Sequence, residues 1–274
     1  MDEVAFVKMH GAGNDFIMVE DLAVRFDPDR SMIAALCASH RGIGADGLII
    51  LRPSDRAAFS MKYYNSDGGE AELCGNGARC VALLAYRLGI TGRSMQFEAR
   101  SGPVKAEILD DGVNVDIGKV RDLRLGIDLD MLPSKIHTAF AGVPHAVVLT
   151  QNTRDYSSEA FVTWARPVRS HASFSPEGVN VNLVAVIDRN RLAYRTYERG
   201  VERETLACGT GAIASAVVTS HLGMTESPVS CETGGGDLLS VTFEKTSSGA
   251  EGCMLKGPAE VAFEGTFRQS DYRP

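Results

Sequence analysis

Two stretches decide the fold: CGNGARCVALLAYRLG at 74–89 and CGTGAIASAVVTSHLG at 208–223. Each opens on Cys-Gly-x-Gly, continues with apolar residues at helical spacing, and closes on a glycine. The first carries Val81, Leu84, Ala85 and Leu88; the second carries Ile213, Ala216, Val217 and Leu222. Gly89 and Gly223 stand in C-cap position. The spacing therefore predicts helices over 78–88 and 212–222. On the N-terminal side, MKYYN at 61–65 reads as a strand that runs through a polar loop into Cys74. AYRTYERG at 193–200 does the same and runs into Cys208. Strand, polar loop, Cys-Gly-x-Gly, helix: the unit occurs twice, with the cysteines half the chain apart. Two similar domains whose repeated units face each other across a cleft are the simplest reading.

The rest of the chain fits that frame. Strand-like runs at 4–9, 48–51, 59–64, 95–98, 113–117, 146–149, 179–187, 192–197, 238–243 and 260–263 mix β-branched, aromatic and apolar residues. Many alternate polar with apolar, as an antiparallel sheet with one buried face requires. A third helix is expected at 31–39, with Ile33, Leu36 and Cys37 on one side. The fold class is α/β (α+β). The domain boundary is expected near 118–124, a charged stretch read as lying between strands, which gives domains 1–119 and 120–262.

Composition removes several function classes. The formal net charge of −7 argues against nucleic acid or an anionic membrane as the partner, since both demand basic patches. No apolar run approaches the roughly 20 residues of a spanning helix. The acidic start leads straight into an apolar stretch, unlike a secretory signal, so a cytoplasmic protein with reduced thiols is expected. The six cysteines form no C-x-x-C pair and the chain has no H-E-x-x-H, so no metal site is expected. Gly42-Ile-Gly-Ala-Asp-Gly47 matches G-x-G-x-x-G by letters. A helix precedes it and a strand follows it, the reverse of a dinucleotide fingerprint.

Cys74 and Cys208 carry the chemistry. A cysteine that opens a helix sits among backbone N–H groups without intrahelical partners, and the glycines after it allow close approach of a ligand. The positive end of the helix dipole favours a thiolate by up to about 2 kcal/mol. That is enough to bring a thiol from roughly 8.5 toward 7, the range of a useful base at neutral pH. The same N–H groups can hold a carboxylate and the charge that builds on it when an α-proton leaves. One cysteine in such a place is as often an inert buried residue; a matched pair in repeated contexts points to paired acid–base work. One thiolate and one thiol on opposite walls would invert a stereocentre without a carrier. Cys37, Cys80, Cys231 and Cys253 lack this context and read as packing residues.

In its motifs the chain resembles the diaminopimelate epimerase family, which works without pyridoxal phosphate. The resemblance rests on the segments beginning at Phe6, Gly42, Asn65 and Cys74, on Pro144-His145, Asn180-Val-Asn182 and Glu198-Arg-Gly200, and on Ala207-Cys-Gly-Thr-Gly211, in that order. It implies two domains of related topology, each a mostly antiparallel sheet wrapped around a central helix, with the tail 263–274 returning to the first and the active site in the cleft between them. It implies Cys74 and Cys208 as catalytic residues, no cofactor, and diaminopimelate as the small-molecule substrate; a homodimer is open to such a chain. Substrate contacts are expected from Asn14, Asn65, Gly75, Asn76, Asn180, Glu198, Arg199, Gly209 and Thr210, with His145 and Gly47 as further candidates. The side-chain chemistry agrees: Arg199 can grip a carboxylate bidentately, Glu198 can accept from an ammonium, and asparagines offer both donor and acceptor. The chain departs from the family's usual pattern at Val143, where an asparagine is usual, at Gly47, where a glutamine is common, and in a longer loop after Gly200. Rival readings are a related racemase acting on histidine or a hydroxyproline, a thiol hydrolase pairing one cysteine with His145, and a non-enzymatic binder of a diamino acid.

Overall fold

The computed structural model describes residues 2–132 and 134–272. The first ten strands are β1 (Glu3–Gly11), β2 (Asn14–Glu20), β3 (Gly47–Arg52), β4 (Ser60–Asn65), β5 (Glu70–Ala71), β6 (Ser94–Ala99), β7 (Gly102–Leu109), β8 (Gly112–Ile127), β9 (Ile136–Ala141) and β10 (Val143–Leu149). They are followed by β11 (Asn180–Asp188), β12 (Arg191–Glu198), β13 (Arg203–Thr205), β14 (Val229–Glu232), β15 (Leu238–Thr246), β16 (Gly249–Gly257) and β17 (Glu260–Arg268). The α-helices are α1 (Arg30–Cys37), α2 (Gly75–Arg87), α3 (Ser158–Arg169) and α4 (Gly209–His221).

The chain divides into two compact units, one of 1–115 with 257–274 and one of 116–256. Residues 273 and 274 of the expected tail lie outside the described residues. The stretch 118–124, expected between strands, lies inside one. It is the middle of β8, whose left-handed residues Gly118 and Asp122 and shifted register against β9 let the strand bend and stay paired. Its charges sit on the open side of a strand, with Val120 buried on the other.

Both units follow one pairing plan. In the first, β1 and β2 form a hairpin, β2 runs parallel to β3, β3 pairs antiparallel with β4, and β4 pairs antiparallel with β5 and parallel with β6. Antiparallel β6–β7 and β7–β8 pairs complete it. In the second, β9–β10, β10–β11, β11–β12, β12–β13, β12–β14, β14–β15 and β15–β16 repeat those seven pairings in the same order and sense. The outer neighbour of the hairpin is β17 in the first unit and the second half of β8 in the second.

Helices cover the sheets on both faces. α2 packs against β1, β2, β3 and β7; α4 packs against β9, β10, β11, β12, β14 and β15. On the other face of each sheet, α1 joins Ile17, Val19, Leu48, Ile50 and Phe267, and α3 packs Phe161, Ala165 and Val168 against Val148, Val181 and Leu183. With a helix on each side, β3 is buried along nearly its whole length, which is why its sequence is a continuous apolar run. α3 escapes the sequence reading because its apolar stripe is short and Pro167 interrupts it.

Gly42 and Gly44 of Gly42-Ile-Gly-Ala-Asp-Gly47 serve the end of α1, and Gly47 opens β3. A Cβ on Gly42 would lie 2.2 Å from the Ala35 carbonyl oxygen. Gly42, Gly44 and Ala45 donate backbone N–H bonds to Ala38, Leu36 and Cys37. The loop is a helix terminus with its carbonyls satisfied.

Candidate active site

Both central helices start at the glycine after the cysteine, three residues before the apolar periodicity begins. Cys74 and Cys208 are the N-cap residues, in extended backbone, and neither side chain makes a cap hydrogen bond. The sulfurs are thus left at the mouths of the helix N-termini. Glycine in a first turn is a poor helix former, and close packing explains its presence. A Cβ on Gly77 would lie 2.7 Å from Ile49 Cδ1, and one on Gly211 would lie 2.5 Å from Asn182 Oδ1.

In the first unit the expected residues form one connected patch. Cys74 Sγ donates to Asn14 Oδ1 at 3.4 Å, and Asn76 Nδ2 donates to the same oxygen at 3.1 Å. Asn14 Nδ2 donates to Asp46 Oδ2 at 2.7 Å. Beyond the amides stands Arg79, fully buried, which donates to Asn76 Oδ1 at 2.8 Å and to the Pro258 carbonyl at 3.1 Å. Gly47 and Asn65 are register partners across β3 and β4, and the Ser66 N–H after Asn65 donates to the Asp46 carbonyl at 3.0 Å. The Asn65 side chain is exposed and accepts from the Tyr63 hydroxyl at 2.8 Å. A Cβ at position 47 would lie 2.5 Å from the Tyr64 carbonyl oxygen, so sheet packing alone accounts for glycine there.

In the second unit Cys208 is buried, with its sulfur 3.5 Å from the Thr210 hydroxyl, and the Tyr194 hydroxyl donates to its carbonyl at 2.9 Å. Val143 opens β10, directly after the tight turn at Gly142 that lies beside Thr210. His145 and Asn180 are register partners on β10 and β11. The Asn180 side chain accepts from the Arg199 N–H at 2.8 Å and so holds the end of β12, where Glu198 accepts from the Thr205 hydroxyl. The Arg199 guanidinium lies 3.5 Å from Glu177 on the surface. Asn182 is a buried junction: its amide donates to the Ala146 carbonyl at 2.9 Å, lies 3.1 Å from His145 Nδ1, and accepts from the Thr196 hydroxyl at 2.8 Å.

The sequence model of the diaminopimelate epimerase family matches residues 6–123 and 138–261, including both cysteine segments. The chain belongs to the diaminopimelate epimerase family. A curated diaminopimelate epimerase of Aquifex aeolicus is 37% identical over 281 residues, 96% of this chain and 98% of that one. Two solved structures share the fold of this family member at low identity. A hydroxyproline epimerase from Agrobacterium vitis, with trans-4-hydroxy-L-proline bound, superposes with a TM-score of 0.72 at 16% identity, covering 97% of this chain and 93% of that one. A PhzF-family phenazine biosynthesis protein from Bacillus anthracis gives 0.73 at 14%, covering 97% and 99%.

The remaining titratable groups of this epimerase-family chain sort by burial. Burial pushes the thiols of Cys37 and Cys80 up to about 12 and that of Cys253 up to about 11; Cys231 is raised as well. Such thiols stay protonated and inert at neutral pH. Burial, with the Arg199 charge, drives His145 down to about 3 against the opposing hydrogen bond from Asn182. His145 is therefore neutral across the physiological range and a poor base, which weighs against the hydrolase reading. Among the described residues, no group of three or more His, Cys, Asp or Glu side chains could hold a metal ion, and no helix is long and apolar enough to cross a membrane.

Asp46, Arg79, Asn182, Thr196 and Tyr194 are absent from the sequence-derived site and belong to it by contact. Two had a signal in the sequence. Arg79 stands at helical i+3 spacing from Asn76, and Asn182 shares a strand face with Asn180. Asp46, Thr196 and Tyr194 reach the site through strand register and loop placement, which local pattern does not carry.

Proposed function

We propose that this chain interconverts LL- and meso-2,6-diaminopimelate by cofactor-free proton transfer at the α-carbon, with Cys74 and Cys208 as acid and base. One observation carries this reading: the same repeated fold presents a cysteine at the N-cap of its central helix in each half, with its sulfur not used as a cap. The thiolate of one cysteine takes the α-proton. The C–H electron pair delocalises into the adjacent carboxylate, and the N–H groups after the cysteines, at Gly75–Asn76 and Gly209–Thr210, stabilise the charge that develops. The thiol of the other cysteine delivers its proton to the opposite face. Atoms and charge balance, and the two sulfurs end with their protonation states exchanged. The proposal requires both sulfurs to reach one α-carbon in the substrate complex.

The remaining roles follow from chemistry. Arg199 binds a carboxylate in place of Glu177. Glu198 accepts from an ammonium, and Asn14, Asn65, Asn76 and Asn180 complete the polar shell. A cytoplasmic location and a homodimer belong to the same proposal, and sedimentation of the purified protein tests the dimer. The activity is tested by incubating the protein in D2O with LL-diaminopimelate, histidine or proline and following the α-proton signal. Deuterium uptake and epimerisation of diaminopimelate are expected. Val143 supplies no amide, so uptake confined to histidine or proline would transfer the chain to a related racemase activity. Ligand binding without exchange from any of the three would make it a binding protein.

A further inference from the structure

Asp46 lies in the loop between α1 and β3, and reaches the Cys74 site through Asn14. We propose that Asp46 is a positioning residue that locks the Asn14 amide with its carbonyl oxygen against the Cys74 sulfur, and so keeps the resting proton of the pair on Cys74. The lock stands on geometry alone; describing Cys74 as the proton-donating partner rests on the two-base reading above.

The orientation of an amide is ordinarily ambiguous between oxygen and nitrogen. Here the ends of the chain decide it. A carboxylate only accepts and a guanidinium only donates. Asp46 Oδ2 lies 2.7 Å from the Asn14 amide, so Nδ2 must face it. Arg79 lies 2.8 Å from the Asn76 amide, so Oδ1 must face it. The two amides then meet as Asn76 Nδ2 to Asn14 Oδ1 at 3.1 Å, the one combination that satisfies both. Turning Asn14 over would set its oxygen against a carboxylate and its amide N–H groups against those of Asn76.

Asp46 is itself held in place. Its backbone N–H donates to the Asp15 carbonyl and to Asp15 Oδ1, both at 3.0 Å, and the Asp15 N–H returns to Asp46 Oδ2 at 3.4 Å. Asp15 pairs with Lys8 at 2.6 Å, so the charged groups around the chain are Asp46, Asp15, Lys8 and Arg79. Cys80, on the same helix, stays protonated.

The consequence falls on the sulfur. Asn14 Oδ1 accepts from the Cys74 thiol and would face its thiolate with lone pairs. In the second unit, the residue that opens the matching strand is Val143, whose side chain carries no acceptor. There Cys208 Sγ lies 3.5 Å from the Thr210 hydroxyl, which is able to donate to a thiolate. The repeated scaffold thus treats its two sulfurs differently.

The test is the pH dependence of Cys74 alkylation by iodoacetamide in the full-length Cys208→Ser protein. It is read from the Cys74 peptide by mass spectrometry and normalised to the high-pH plateau. All comparisons are made in an Asn76→Ala background, which removes the second constraint on Asn14 and serves as the parent; there Asp46→Asn frees the Asn14 amide to turn a donor toward the sulfur. The midpoint is then expected to fall by about one pH unit, a roughly tenfold faster reaction below the midpoint. Asp46→Glu keeps the acceptor-only group and should stay within about threefold of the parent. Asp15→Asn removes the same charge from the same patch without touching Asn14, and should also stay within about threefold. An unmoved midpoint in Asp46→Asn, or an equal shift in Asp15→Asn, overturns the lock. Should Asp46→Asn fail to melt cooperatively, Asp46→Ser is read by the same criteria. The titration needs no turnover, so a protein inactive on diaminopimelate would leave this test intact.

Discussion

Replacing Gly211 by alanine separates local propensity from packing, because the two predict opposite signs. Alanine is a better helix former than glycine by about 1 kcal/mol, and Gly211 lies in the first turn of α4, so propensity alone predicts a more stable protein. In the folded chain the new Cβ would sit 2.5 Å from Asn182 Oδ1, 2.9 Å from Thr196 Oγ1 and 3.3 Å from Cys208 Cβ, where ordinary contact begins at 3.4 Å. None of these neighbours yields freely. Asn182 and Thr196 are bonded to each other at 2.8 Å, both are buried, and the Asn182 amide also holds the Ala146 carbonyl. Overpacking of this kind costs about 1–3 kcal/mol, and loss of the Thr196–Asn182 bond adds about 1 kcal/mol. After the propensity gain, the net destabilisation is about 1–3 kcal/mol, a fall in Tm of roughly 2–5 °C for a chain of 274 residues. Differential scanning calorimetry of both proteins reads it directly. Gly77→Ala is the internal comparison. Its nearest obstacle, Ile49 Cδ1 at 2.7 Å, is the far end of a flexible side chain, so its cost should be less than half that of Gly211→Ala. A Gly211→Ala protein as stable as the parent, or a Gly77→Ala protein that suffers more, refutes the reasoning.

Half-buried Arg195 and buried His145 each carry a further prediction. Arg195 meets Glu204 with two bonds at 2.6 and 2.8 Å, donates to the Thr153 and Tyr156 carbonyls, and lies over the Phe161 ring. Arg195→Lys cannot reproduce that fork and should cost about 2 kcal/mol in urea unfolding, close to the cost of Arg195→Met. The pH dependence of stability should carry the signature of His145, whose folded value near 3 lies below its unfolded value of about 6.5. The unfolded chain takes up this proton first, so the stability is complete above about pH 6.5 and is lost as pH falls from there toward 3. Between about pH 7 and pH 5 the parent should lose about 2 kcal/mol more than His145→Gln. Parallel slopes in the two proteins would contradict the assignment.

The sequence showed its repeat more clearly than its boundaries. Cys-Gly-x-Gly before an apolar helix is a local pattern, so both central helices and the cysteines that precede them were legible in the sequence. The β1–β2 hairpin was only half seen, because β2 is buried over most of its length and lacks the alternation of a half-exposed strand. The middle of β8 reads in sequence as a charged stretch between strands, since charge on the open face of a strand looks the same in one dimension as charge in a loop. The site divides in the same way. Asn14, Asn180, Glu198 and Arg199 stand in quotable motifs. The groups they touch come partly from other elements: Asp46 meets Asn14 and Asn182 meets His145 across loop and strand, while Arg79 meets Asn76 one turn along the same helix. Arg199 was expected to be ready for a carboxylate and is found beside one of the protein's own, at Glu177.

The measurement that bears most directly on the central claim is α-proton exchange by Cys74→Ala and Cys208→Ala, each incubated with LL-diaminopimelate in D2O beside the parent protein. The account predicts that the parent epimerises the substrate with deuterium at the α-carbon, and that both variants keep a cooperative thermal transition yet form no epimer. Sustained epimerisation by either variant would mean that one thiol suffices, and the paired role of the two helix-capping cysteines would be contradicted.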